Sequence, residues 1–141
     1  MPAVEHVVAV AGEWMVKAEN DLKNAANTLE MEEACPTDTV CFHAQQCTEK
    51  YLKAFLVSKG VDFPRSHDIE TLVGLLPNEI EVGLSPTEQR RLTTYATVTR
   101  YPGDYEPISL EEARQSVRLA RRVRRVLRRH LPTELLRKKR K

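Results

Sequence analysis

Two stretches of this 141-residue chain gather side chains that could do chemistry. The first, Thr99-Arg100-Tyr101-Pro102-Gly103-Asp104-Tyr105-Glu106, brings a guanidinium, two phenols and two carboxylates together without helical periodicity. Arg100 offers a planar fork of donors that matches phosphate or carboxylate, and Tyr101 or Tyr105 could stack on a base or donate a hydroxyl. The same residues would serve a structural role equally well, Arg100 pairing with a carboxylate such as Glu49 and Tyr101-Pro102 covering the end of a bundle. The second stretch runs from Phe42 to Leu56, FHAQQCTEKYLKAFL. Its His43, Gln46, Lys50 and Lys53 recur every three or four residues, and Gln45 and Glu49 form another row one turn apart. His67, within Ser66-His67-Asp68, is a candidate base or ligand and equally a capping residue. No Gly-rich phosphate loop, Cys/His ligand cluster or Ser/His/Asp order can be assembled, so neither a metal nor a cofactor is expected.

These residues need helices to hold them. Val7, Val10, Ala11, Trp14, Ala18, Leu22, Ala25 and Leu29 keep a 3.6-residue rhythm that predicts a helix over 4–31. Pro36 followed by Thr37 or Asp38 supplies a stop and then an N-cap for a second helix, which reaches Ser58 with Gly60 as its C-terminal cap. Within it Ala44, Cys47, Tyr51, Ala54 and Phe55 make one buried stripe. Phe42, Leu52 and Leu56 widen the apolar surface beyond what a single contact needs, so this helix is expected to meet two neighbours. A short third helix covers Ile69 to Leu76. Ser85-Pro86-Thr87-Glu88 is a capping box that opens a fourth, to Val98, and Ser109-Leu110-Glu111-Glu112 repeats the box for a last helix to His130. No stretch alternates with period two, so no sheet is expected. The fold class is therefore all-α, an antiparallel up-and-down bundle of four long helices plus one short one. It forms a single domain over 1–132, with a basic, disordered tail over 133–141.

Composition narrows the setting. Three cysteines, Cys35, Cys41 and Cys47, suggest neither a disulfide framework nor a zinc pattern and fit a reducing cytoplasm. No run of about 18 apolar residues reads as a membrane span. Met1 to Ala11 lacks the basic lead of a signal peptide. The net charge of +2 hides a polarity, since residues 1–108 sum to −8 and 109–141 to +10. The last helix carries Arg114, Arg118, Arg121, Arg122, Arg124, Arg125, Arg128 and Arg129 around an apolar stripe. That face is either solvated and self-pairing or a phosphate-binding surface, and without aromatics it would not read base sequence.

Trp14-Met15-Val16-Lys17-Ala18-Glu19-Asn20-Asp21-Leu22, the Phe42-to-Ala54 run, His67-Asp68-Ile69 and Arg100-Tyr101-Pro102, in this order, resemble the HEPN domain, the higher eukaryote and prokaryote nucleotide-binding family, over about residues 12–130. The resemblance implies a cytoplasmic homodimer with a cleft between protomers. It also implies a partner, a minimal nucleotidyltransferase, in a toxin and antitoxin pair. Many members are metal-independent ribonucleases that use Arg, four to six residues, then His. Here Arg100 is followed at that spacing by Tyr105, with Asp104 and Glu106 beside it and no histidine, and tyrosine is a poor base near neutrality. Three readings follow: a module binding nucleotide or RNA through Arg100, Tyr101, Gln45, Gln46, Glu49, Lys50 and His67; a ribonuclease using Arg100 with Tyr105, Asp104 or a relocated His67 or His43; and a dimeric scaffold. The binding module is preferred, and it expects Glu49 or Gln45 close to Arg100.

Overall fold

The computed structural model describes residues 4–96 and 106–136. Its three long helices are α1 (Val4–Leu29), α2 (Thr37–Ser58) and α5 (Leu110–Arg128). Between the last two run α3 (Ile69–Gly74) and α4 (Pro86–Thr94), and α6 (Thr133–Leu136) follows. Among the described residues there is no strand, and no helix is long and apolar enough to cross a membrane.

Side-chain pairs set the directions. Asp21 meets Lys50 and Trp14 meets Lys53, so α2 runs back along α1. Gly83 and Glu88 meet Arg122 while Tyr95 meets Glu112, so α4 and α5 are antiparallel too. Glu19 pairs with Arg124 and Gly12 meets Leu135 just beyond α5, so α1 and α5 are antiparallel and close an up-and-down bundle. The core lies around α2, where every residue from Tyr51 to Leu56 is buried. Tyr51, Leu52, Phe55 and Leu56 pack with Ile69, Leu72, Leu92, Leu119 and Leu127.

Leu52 and Leu56 are fully covered inside the chain, so these two serve α2's own bundle, while Phe42 is half-buried. Trp14, on the apolar rhythm of α1, is half-buried and flanks the core, where it meets the Lys53 ammonium.

The helix ends follow local chemistry in most places. Gly60, at φ 69°, ends α2 with Gly60 N–H donating to Val57 O and Val61 N–H to Leu56 O, the paired bonds of a left-handed cap. Ser85 and Glu88 make both bonds of the capping box. Ser109 accepts from Glu112 N–H, but the Glu112 carboxylate turns to the Tyr95 hydroxyl, so the second box is only half made. Neither Thr37 nor Asp38 caps α2. Pro36 holds that position, and the Thr37 hydroxyl donates to Ile108 O at 2.6 Å, tying the start of α2 to the segment before α5. α1 stops at Leu29, ahead of a 3-10 turn over Glu32–Ala34. Residues 133–136, expected to open a disordered tail, form α6 instead, because Leu135 and Leu136 pack on the core and Leu135 closes on Gly12.

Candidate functional site

Gln45, Glu49 and Lys53 fall on one side of α2 at i, i+4 spacing, and all three are buried. Glu49 is the hub. One carboxylate oxygen accepts from Gln45 Nε2 at 2.9 Å and lies 2.9 Å from His67 Nδ1, and the other takes the Lys53 ammonium at 3.0 Å. Gln45 Nε2 also donates to His67 O, and Gln46 Nε2 donates to Gln45 Oε1. The Lys53 ammonium lies 5.3 Å from the Trp14 ring centroid and 5.7 Å from that of Phe63, within range for attraction to both ring faces. Burial pushes the Glu49 carboxyl up, but hydrogen bonds from Gln45, Lys53 and His67 outweigh it and hold the group below its ordinary value.

This network reaches solvent at His67, whose side chain is 70% exposed while that of Glu49 is 3% exposed. A carboxylate only accepts, so the proton between them belongs to His67 Nδ1. In the neutral ring Nε2 is then the basic nitrogen. Next to it Glu70 accepts from the Thr93 hydroxyl, which lies 3.3 Å from Asp68 Oδ1, and Thr93 accepts from Ile69 N–H, fastening the end of α4 to the start of α3.

The row of His43, Gln46, Lys50 and Lys53 therefore divides between two centres. Gln46 and Lys53 join the Glu49 group. His43 Nδ1 and Lys50 Nζ go instead to Asp21, at 2.8 and 2.6 Å, on another side of α2. Asp21 did not emerge as a site residue from the sequence, although it lies three residues after Ala18 and four before Ala25, on the buried stripe of α1. A third centre was missed as well. Glu19 receives Arg124 by two parallel bonds and Arg128 at 3.5 Å, and Arg128 reaches the Tyr51 hydroxyl. Burial raises the Glu19 carboxyl, and the bonds from Arg124 and Tyr51 bring it below its ordinary value. This centre lines a cleft of about 920 Å³ between α1, the end of α5 and α6.

Arg100, Tyr101, Asp104 and Tyr105 lie outside the described residues, and so does the expected approach of Arg100 to Glu49 or Gln45. Thiol chemistry finds no support in the buried cysteines. Burial pushes Cys41 up to about 11 and Cys47 higher still, which keeps both protonated near neutrality. No group of three or more potential metal ligands occurs among the described residues.

The HEPN domain family model matches residues 11–130 of the chain. The crystal structure of an archaeal HEPN homologue superposes with a TM-score of 0.63 at 25% identity, covering 94% of this chain and all of that one. No curated protein matches the chain.

Proposed function

We propose, from the premise that this chain belongs to the HEPN domain family, that it binds a nucleotide or RNA at a cleft between two copies of itself and acts beside a minimal nucleotidyltransferase as one half of a toxin and antitoxin pair. The observation that carries this reading is the buried Gln45-Glu49-Lys53 network ending on exposed His67. Burying ions is costly, and apolar residues of similar volume would commonly stabilise a bundle as well or better. A network of this kind that leads to one exposed imidazole holds a group ready for a ligand.

In this proposal Gln45 and Glu49 are supports, and His67 and Gln46 reach the ligand. Arg100 supplies the phosphate fork and Tyr101 a ring to stack on a base. Lys50 is shared with Asp21, so it adds to the field of the site more than it offers a free ammonium. Calorimetric titration of the protein with ATP, short RNA and a nucleotidyltransferase partner tests the proposal. Binding that weakens at least tenfold in Arg100→Ala and His67→Ala is expected, a loss of about 1.4 kcal/mol. No binding, or binding untouched by both changes, would overturn it. Light scattering on the same samples tests the dimer.

A metal-independent ribonuclease is the second reading, and the His67–Glu49 pair specifically favours it. His67 Nε2 would take the proton of the attacking 2′-hydroxyl in place of the absent motif histidine, with Arg100 on the phosphate and Tyr105 or Asp104 beside it. Cleavage of RNA by pure protein in chelator, lost in His67→Ala and Arg100→Ala, supports it. RNA that stays intact refutes it. The scaffold reading predicts instead that Arg100→Ala lowers the melting temperature and no binding.

A further inference from the structure

Arg114, Arg118, Arg121, Arg125 and Arg129 are all exposed on α5 and its C-cap. At 3.6 residues per turn they lie within about 80° of one another and extend over about 22 Å, near one guanidinium per turn. Arg118 pairs with Glu111 and Gln115, both on its own helix. The other four have no carboxylate partner among the described residues. Three further arginines of α5 turn inward or sideways: Arg122 to Gly83 O and Glu88, and Arg124 and Arg128 to Glu19. The helix thus separates its arginines into a set that ties the bundle together and a set that faces outward.

The outward set is unfavourable for an isolated chain. Its members stand at i, i+3 and i, i+4, where like charges repel, and the acids of α5 are confined to Glu111 and Glu112 in its first turn. A face that only needed to be wet would interleave glutamates with the arginines. We propose that this stripe is a track for the phosphodiester backbone of a nucleic acid strand, separate from the α2 site. Arginine forks take two phosphate oxygens at once, and a regular row of them matches a polymer with a regular row of anions. No aromatic residue stands on α5, so contact is tolerant of base sequence. A membrane surface fits less well, because Ala113, Val117, Ala120, Val123 and Leu127 are buried in the bundle and no apolar side remains to enter lipid. An acidic face of another protein lacks the repeating pitch. Five basic residues at 137–141 extend the same charge along the chain.

The test is fluorescence anisotropy of the full chain with labelled polyuridine and polydeoxythymidine across a salt series, with ATP and anionic vesicles in parallel. In the quadruple variant Arg114→Gln, Arg121→Gln, Arg125→Gln, Arg129→Gln, single-strand affinity should fall at least tenfold and the slope of log K against log salt should flatten by about 3, roughly 0.7 for each phosphate released. The variant's melting temperature should stay level or rise, as repulsion is relieved. A control that neutralises Lys17, Lys23, Arg90 and Arg91 to Gln should keep most of the affinity. RNA bound more tightly than DNA would name RNA as the source, and equal binding would leave the backbone alone as the ligand. Equal slopes for wild type and quadruple variant would overturn the track, as would binding to vesicles with none to either strand. ATP binding that depends on His67 but survives the quadruple variant reports on the α2 site alone, so either idea can fail without the other.

Discussion

Replacing Glu49 by Leu removes the carboxylate that Lys53 needs, and the consequence can be worked out from the geometry. The two charges are 3.0 Å apart, with side chains 3% and 8% exposed. At an effective dielectric of about 20 their attraction is about 5 kcal/mol, most of it offset by the cost of burying both ions. Removing the carboxylate leaves the Lys53 burial cost uncompensated, so Glu49→Leu should lower unfolding free energy by about 3–5 kcal/mol, and Lys53→Met by somewhat less, because Gln45 and His67 still hydrogen-bond Glu49. A single domain has about 5–15 kcal/mol in total, so either variant stands near the edge of folding. The double variant should recover. A methionine in place of Lys53 would lie between Trp14 and Phe63 as a sulfur against two rings, and His67, being exposed, can turn to water. What remains lost is one acceptor for the Gln45 amide, about 1 kcal/mol. Urea unfolding of wild type, both single variants and the double variant measures the cycle. A double variant that loses the sum of the single changes, or single losses below about 1 kcal/mol, refutes the buried-pair argument. The double variant also separates stability from function, since it keeps the fold while releasing His67 and should lose nucleotide binding.

Three further outcomes are expected. Glu49 and Glu19 both titrate below the ordinary 4.5 in the folded protein, so they contribute stability that is complete above that value and is lost as pH falls through the lowered folded values. Urea midpoints should drop across that acidic window, and less steeply in Glu49→Gln; an equal slope in the variant counts against the assignment. Gly60→Ala should cost about 1 kcal/mol from the left-handed backbone alone, because a Cβ there meets nothing within 4 Å, and a chemical denaturation curve unchanged from wild type would contradict that. In native protein at pH 8, Cys41 and Cys47 should resist a thiol reagent until urea opens the bundle, while half-buried Cys35 reacts first; mass spectrometry of the labelled peptides reads the order.

Much of the architecture is legible in the residues because helical periodicity and capping are local. The rhythm of α1, the box at Ser85-Pro86-Thr87-Glu88 and the cap at Gly60 each depend on neighbours within a turn or two, and the structure carries all three. Local rules failed where a distant residue competed. Thr37 gave its hydroxyl to Ile108, and Glu112 gave its carboxylate to Tyr95, each in preference to capping its own helix.

The candidate site divides along the same line. Sequence alone determined that α2 carries Gln45, Gln46, Glu49, Lys50 and Lys53 at helical spacing, that His67 opens the next element, and that the arginines collect at the C-terminal end. It could not say which amine answers which carboxylate, because a helix presents charges on several sides and the neighbours decide. Only the packing of α1 against α2 gave Lys50 and His43 to Asp21, and only the return of the chain after α2 brought His67 onto Glu49. Where the partners lie on different elements, charge pairing is a long-range choice made by the contact that excludes water, and that contact exists only once the helices have met.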